Sequence, residues 1–167
     1  MSEHIQPGGR ETIHAHAGDM AGIGRLSATD LLASAEGPGI VRVSAPSALS
    51  DGDFLVWGVD VPTIFSLSED APAPFARRLL RTWAVTLKDG GAGDGVGTVD
   101  VRFRVGGLFL SSDTRDFALL QDDDTRFADA PVVSTSGVYD PATDTIEFFN
   151  IALAAHKYFA LAVKPLP

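Results

Sequence analysis

Strict alternation of apolar and charged side chains over residues 98–105 constrains the fold of this chain more than any other feature. After Thr98, the stretch reads Val99, Asp100, Val101, Arg102, Phe103, Arg104, Val105. Successive side chains of a β-strand point to opposite faces, so a period of two predicts a strand with one buried and one solvated face. We therefore expect the valines and Phe103 to face a core and the charged residues to face solvent.

Other stretches carry similar strand patterns, at residues 40–44, 54–59, 81–87, 117–121, 132–136, 145–149 and 158–163. Residues 54–59 are apolar throughout and predict a strand buried on both faces. Short strands spaced by roughly 8–12 residues, with turn residues between them, predict an all-β fold with little helix. We expect a single antiparallel β-sandwich, of the Ig-like or jelly-roll type, with about eight or more strands.

The core of this sandwich is predicted from the alternation in each strand. Its expected members are Phe54, Val56, Trp83, Val85, Val99, Val101, Phe103, Leu119, Ile146, Phe148, Phe159 and Leu161.

The segments between the predicted strands carry turn and loop patterns. Residues 89–97 are rich in glycine and predict a flexible hairpin loop, and residues 140–144, with Pro141, predict a second hairpin turn. Residues 28–35 suit a short helical turn with Thr29 as its N-cap. Residues 1–18 are polar and glycine-rich and predict a flexible N-terminal arm. The single sandwich domain is expected to span residues 19–167.

Charge and composition exclude several function classes. The 167-residue chain has 13 Lys and Arg against 22 Asp and Glu, a formal net charge of −9, which disfavours nucleic acid and anionic membranes as partners. It has no cysteine, which excludes disulfides, thiolate metal sites and cysteine nucleophiles. No stretch approaches the roughly 18 apolar residues of a membrane span, so no membrane insertion is expected. Residues 1–7 lack the pattern of a signal peptide, which leaves the export route undefined.

Two groups of residues are candidates for metal binding. Asp122 and Asp124 lie in an acidic turn after an apolar strand, and clustered carboxylates on a turn suit Ca²⁺. The alternative is a solvated turn with an ion pair between an Asp and Arg126. His14 and His16, with His4 or Asp19, are a candidate Zn²⁺ site, although the spacing is common by chance. No cofactor is predicted beyond this possible weak calcium.

Two tryptophans and two arginines have competing interpretations. Trp57 and Trp83 suit either a sugar-stacking platform or the core, and their valine neighbours favour the core. Arg78 and Arg81 suit either an anion site or ion pairs with Asp residues that fix the fold, and the second is favoured.

The serines, carboxylates and glycines of the chain form no recognisable catalytic motif. The chain contains no Gly-x-Ser-x-Gly elbow, and its glycine-rich loop is not followed by Gly-Lys-Ser or Gly-Lys-Thr, as a phosphate loop requires. The carboxylates are numerous, but no pair stands out from surface acids. We therefore expect a protein that is not an enzyme.

In the order of its motifs the chain resembles an uncharacterised β-rich domain of large bacterial surface and secreted proteins. That domain is often found beside concanavalin-like (laminin-G-type) lectin modules. The resemblance rests on residues 21–25, 51–58, 78–83, 98–103 and 116–127, and continues through 158–161. The turn departs from the family pattern Asp-x-Asp-Gly-Asp-Phe, because residues 122–127 read Asp-Asp-Asp-Thr-Arg-Phe and have lost the Gly and the third acid.

The resemblance implies a structural or interaction module of a bacterial extracellular or appendage assembly, such as a surface protein or filament subunit. The location implied is extracellular or at the cell surface. Copies of the chain or neighbouring subunits are the expected partners, and the N-terminal arm is a candidate for pairing with a neighbour's free edge strand. The alternative is a module of a secreted protein that binds carbohydrate or another ligand.

Overall fold

The computed structural model describes residues 20–37, 40–60, 67–68, 70–75, 77–91, 93, 95–106 and 114–165. The predicted arm at residues 1–18 and the candidate zinc ligands His4, His14, His16 and Asp19 lie outside these residues. In the described residues the regular structure is β-strand without helix, arranged as two antiparallel sheets packed together. The predicted all-β sandwich is therefore confirmed.

The two sheets differ in size. The nine strands of the larger sheet are β1 (Met20–Ser27), β2 (Asp30–Leu32), β5 (Phe54–Val59), β6 (Leu67–Ser68), β7 (Arg77–Leu79), β8 (Trp83–Lys88), β10 (Thr114–Asp122), β11 (Val132–Ser134) and β14 (Tyr158–Pro165). The five strands of the smaller sheet are β3 (Ser34–Gly37), β4 (Val41–Ser44), β9 (Val99–Arg104), β12 (Val138–Asp140) and β13 (Thr145–Ile151).

The strand β2 lies at one end of the larger sheet, and β3 lies at one end of the smaller sheet. The larger sheet runs β11-β10-β14-β8-β5-β1-β2, with β7 pairing both β14 and β6, and the smaller runs β12-β13-β9-β4-β3. The chain changes sheets between β2 and β3, so that these adjacent segments end the larger and smaller sheets at the same side. None of the described residues forms a helix with the length and hydropathy that crossing a membrane requires.

Aromatic side chains from both sheets meet in the core. The ring of Trp83 lies 5.4 Å from that of Phe103 and 5.5 Å from that of Phe159. Both Trp57 and Trp83 are fully buried, which confirms the core interpretation and excludes an exposed platform. Of the twelve predicted core residues, all but Phe54 and Val56 are buried.

The prediction for β5 was wrong about which face is buried. Leu55, Trp57 and Val59 are fully buried, whereas Phe54 and Val56 are only partly covered and lie on the outer face. Because β5 is apolar on both faces, its sequence carries no alternation from which to choose. The register with β1 decides instead, since it pairs Phe54 with Gly24 and Val56 with Gly22.

Two local predictions were also wrong. The stretch predicted as a helical turn holds β2 and the start of β3, because pairing with β1 and β4 overrides its weak helix preference. The glycine-rich loop at 89–97 joins β8 of the larger sheet to β9 of the smaller one, so it crosses between sheets and is not a hairpin. The hairpin turn at 140–144 is confirmed by the pairing of β12 with β13.

Candidate functional site

The acidic turn after β10 uses its carboxylates to hold its own backbone. Asp122 Oδ1 accepts a hydrogen bond from the N–H of Asp123 at 2.6 Å, and Asp124 Oδ1 accepts one from the N–H of Arg126 at 2.7 Å. Asp123 forms an ion pair at 2.9 Å with Lys157, where an Asp–Arg126 pair was expected. Within the described part of the chain, no three His, Asp or Glu side chains gather as a metal site. Weak calcium binding at Asp122 and Asp124 stays a prediction.

The buried side chain of Arg78 stabilises this turn. The Arg78 side chain is only 4% exposed, and its Nη2 donates to Asp70 Oδ2 at 3.0 Å and to the carbonyl of Thr125 at 3.1 Å. Its guanidinium carbon lies 4.6 Å from the ring centre of Phe127, which is a cation–π distance. Arg78 thus joins β7, Asp70 and the acidic turn. These contacts favour the predicted structural role of Arg78 over an anion site. The second arginine of that prediction, Arg81, is also buried.

Asp70 is held ionised in this cluster. Burial by itself raises its pKa, but the N–H of Phe127, at 2.9 Å from Oδ2, and the side chain of Arg78 lower it. The lowering contributions prevail, so the pKa of Asp70 lies below its ordinary value. Asp70 is therefore charged at neutral pH, and its hydrogen bonds make it part of the framework.

The first surface with functional potential lies at the β2 end of the larger sheet. We call it the apolar edge surface, and it comprises Met20, Leu26, Leu31, Leu32, Phe54 and Val56, of which Leu31 points to the opposite face of β2 from Leu32. The first four are each more than half exposed, although all are large and apolar. A shallow groove of ≈ 260 Å³ is lined by Leu26, Leu32, Phe54 and Val56 of this surface together with Gly22, Ile23, Gly24 and Asp30. The Phe54 ring lies so close over Gly24 that a Cβ at that position would clash with the ring.

A second surface lies on the outer face of the smaller sheet. We call it the arginine cleft, of ≈ 320 Å³, and it is lined by Glu36, Ile40, Arg42, Arg102, Arg104, Thr143 and Thr145. A neighbouring cleft shares Arg102, Thr143 and Thr145 and adds Val138, Asp140, Glu147 and Phe149. Phe149 and Val138 are both well exposed for apolar residues. The outer face of this sheet thus presents arginines at one side and an aromatic ring at the other.

Cross-strand register brings these charged residues into rows. One row crosses four strands and reads Glu36, Arg42, Arg102 and Glu147, because each residue pairs with the next across β3, β4, β9 and β13. Arg102 Nη2 lies 3.0 Å from both carboxylate oxygens of Glu147, and Arg104 binds Glu36 at 2.6 Å. The alternation predicted outward positions for Arg102 and Arg104. It carried no information on register, so the sequence did not predict that they share a cleft with Arg42.

Thr143 and Asp140 lie in the β12–β13 turn, at one side of this outer face. The Thr143 hydroxyl donates to Asp140 Oδ2 at 2.6 Å, and the N–H of Ala142 donates to Asp140 Oδ1 at 2.9 Å. These hydrogen bonds, the Thr143 hydroxyl first, lower the pKa of Asp140.

No protein-family model, curated protein or solved structure matches this chain.

Proposed function

We propose that this protein is a structural interaction module, without enzymatic activity, that associates with copies of itself through the apolar edge surface. The observation that carries this proposal is the exposure of Met20, Leu26, Leu31 and Leu32 at the end of the larger sheet. Exposed apolar side chains that are contiguous mark interaction sites more often than isolated ones do. The buried cluster of Arg78 and Asp70 serves the framework, and the apolar edge surface is the contact that best suits a second copy.

The backbone at the same place is suited to strand addition. β2 ends the larger sheet, and among the described strands its only partner is β1. An edge strand presents N–H and C=O groups that another strand can pair with, and natural proteins usually protect such edges with charges or proline. β2 carries one such charge, the exposed Asp30, whereas Leu31 and Leu32 offer no such protection. The edge therefore combines unpaired backbone with apolar side chains.

A second copy is the occupant that fits this edge. Two copies of a chain with a formal charge of −9 repel each other over most of their surface, so they associate best where charge is sparse. At the apolar edge surface, Asp30 is the one charged residue among those that line the groove. Antiparallel pairing of one β2 with another is also self-complementary, since a two-fold axis near Leu31 brings the same residues of both copies together. Such a pair joins two larger sheets into one continuous sheet.

The setting comes from the sequence resemblance. A bacterial surface or secreted assembly, such as an appendage or filament, uses modules that add strand edges to their neighbours. The N-terminal arm is a further candidate contact in this assembly. The alternative of a ligand-binding module is supported by a different surface, the arginine cleft.

Sedimentation equilibrium of the full chain tests the proposal. The wild type is expected to associate in a concentration-dependent way, and Leu31→Asp combined with Leu32→Asp is expected to be monomeric, because like charges then face each other across the edge. Val138→Asp is the matched control, since Val138 is equally exposed and apolar but lies on the other sheet.

Two outcomes contradict the proposal. One is a wild type that remains monomeric at every concentration measured. The other is association that survives the Leu31 and Leu32 changes but is lost when residues 2–17 are deleted, which would assign the contact to the arm alone.

A further inference from the structure

Two arginines lie directly opposite each other on the outer face of the smaller sheet. Arg42 of β4 pairs in register with Arg102 of β9. Like charges directly opposite on neighbouring strands are destabilising, and they are tolerated where counter-charges are close. The position of each nearby carboxylate therefore decides whether this pair is balanced.

Arg102 is balanced but Arg42 is not. Glu147 accepts from Arg102, and Glu36, although directly opposite Arg42, is bonded to Arg104 at 2.6 Å. Arg42 donates its Nε to the neutral Ser34 hydroxyl at 3.0 Å. Among the described residues, Arg42 has no carboxylate partner. Its guanidinium thus lines the cleft beside Glu36 without forming an ion pair of its own among the described residues.

The hydroxyls in the cleft are suited to the same kind of ligand. Thr145 is buried on the outer face of β13, and both Thr143 and Thr145 line the cleft beside the arginines. Guanidinium groups bind carboxylates and sulfates through paired N–H donors. The Thr143 hydroxyl donates to Asp140 and shares a hydrogen bond of 2.9 Å with the Thr145 hydroxyl, so the two oxygens offer acceptor positions to sugar hydroxyls. Of the three guanidinium groups in the lining, Arg104 is paired with Glu36 and Arg102 with Glu147, so Arg42 supplies the positive charge that favours an anion although the chain as a whole is acidic.

An exposed aromatic ring extends this site. Phe149 lines the neighbouring cleft that shares Arg102 with the first one. From strand spacing and rise, Arg42 and Phe149 are about 12 Å apart, two strands across and two residues along. A ligand that reaches both is longer than one sugar ring, carries an anionic group at one end and offers an uncharged ring face at the other.

We propose that the arginine cleft binds an acidic oligosaccharide, with a carboxylate or sulfate group at Arg42 and a sugar ring against Phe149. This site is separate from the apolar edge surface, which lies on the other sheet. A copy of the chain can therefore hold the saccharide while it is assembled with its neighbours.

Isothermal titration calorimetry with the full chain tests this proposal. The probes are tri-galacturonate, its neutral methyl ester, sodium sulfate and a triglutamate peptide, all at matched ionic strength. We expect tri-galacturonate to bind at least tenfold more tightly than the methyl ester or the peptide. Arg42→Gln should weaken tri-galacturonate binding at least tenfold. Arg77→Gln, an exposed arginine on the larger sheet, is the matched control and should change nothing.

Two further variants separate binding from folding. Phe149→Ala should weaken tri-galacturonate binding at least threefold and leave sulfate binding unchanged. Arg42→Gln should keep or raise the melting temperature, because it removes a charge that faces Arg102. Equal binding of the ester, binding of the peptide alone or of sulfate alone, or unfolding of Arg42→Gln would each overturn the proposal.

Discussion

Arg78 donates two hydrogen bonds to Asp70, one to the carboxylate at 3.0 Å and one to the main-chain carbonyl at 2.8 Å. The two residues are separated by a loop and the start of β7, and Asp70 in turn accepts from the N–H of Phe127. This pair therefore connects three parts of the chain: β7, the segment before it and the acidic turn. Loss of this pair should therefore lower the stability of the whole described fold.

We expect Arg78→Ala to lower the free energy of unfolding by about 3 kcal/mol, since it leaves the Asp70 carboxylate and several carbonyls without their donors. Urea denaturation followed by circular dichroism measures this loss. Arg77→Ala is the control, because Arg77 is exposed on the same strand, and it should change the free energy by less than about 0.5 kcal/mol. Equal losses for the two variants would show that Arg78 has no special role.

The pH dependence of stability should contain a contribution from Asp70. Its pKa is lowered in the folded state, so its contribution is complete above the unfolded value of about 3.9 and is lost as the pH falls through the lower folded value. Melting temperatures between about pH 2 and pH 7 should fall more steeply at the acid end for the wild type than for Asp70→Asn. Parallel curves for the two proteins would contradict this account of Asp70.

Truncation of two phenylalanines should distinguish the two faces of the sheets. Phe103 is fully buried against Trp83, so Phe103→Ala should lower the free energy of unfolding by about 3–5 kcal/mol. Phe54 lies on the partly covered outer face, so Phe54→Ala should lower it by about 1 kcal/mol or less. Denaturant melts of both variants check the difference. A larger loss for Phe54 would mean that the register of β5 is inverted.

Metal removal should leave the protein unchanged. The carboxylates of Asp122 and Asp124 already accept backbone N–H groups of their own turn, and Asp123 is paired with Lys157. We expect the melting temperature to be the same with EDTA as with added Ca²⁺. A decrease of several degrees in EDTA that Ca²⁺ reverses would show that the acidic turn is a metal site.

The sequence predicts the strands best where only one face of a strand is apolar. In β9 the alternation identifies Val99, Val101 and Phe103 as core residues, and the structure buries all three. In β5 both faces are apolar, and only the pairing with Gly22 and Gly24 of β1 decides which side faces inward. Strand pairing of this kind joins residues distant in sequence, so local patterns do not contain it.

The surfaces were harder to predict than the core for the same reason. Arg42 and Arg102 are 60 residues apart in the sequence and become neighbours only through the register of β4 with β9. Leu31 and Leu32 suggest a helical turn when considered alone, and only the structure shows them at the end of a sheet. The sequence predicted that Arg78 pairs with an Asp. It did not predict that the partner is Asp70 or that Arg78 contacts Phe127.

The central claim, that two copies join through β2, is tested most directly by disulfide cross-linking of Leu31→Cys. The chain has no cysteine of its own, so any covalent dimer must form through the introduced residue. Residues opposite each other in an antiparallel pair have Cα atoms about 4.5–5.5 Å apart, within the range of a disulfide. Under mild oxidation we predict a covalent dimer for Leu31→Cys and none for the equally exposed Val138→Cys. Dimers at the same rate from both variants, or from neither, would contradict the claim.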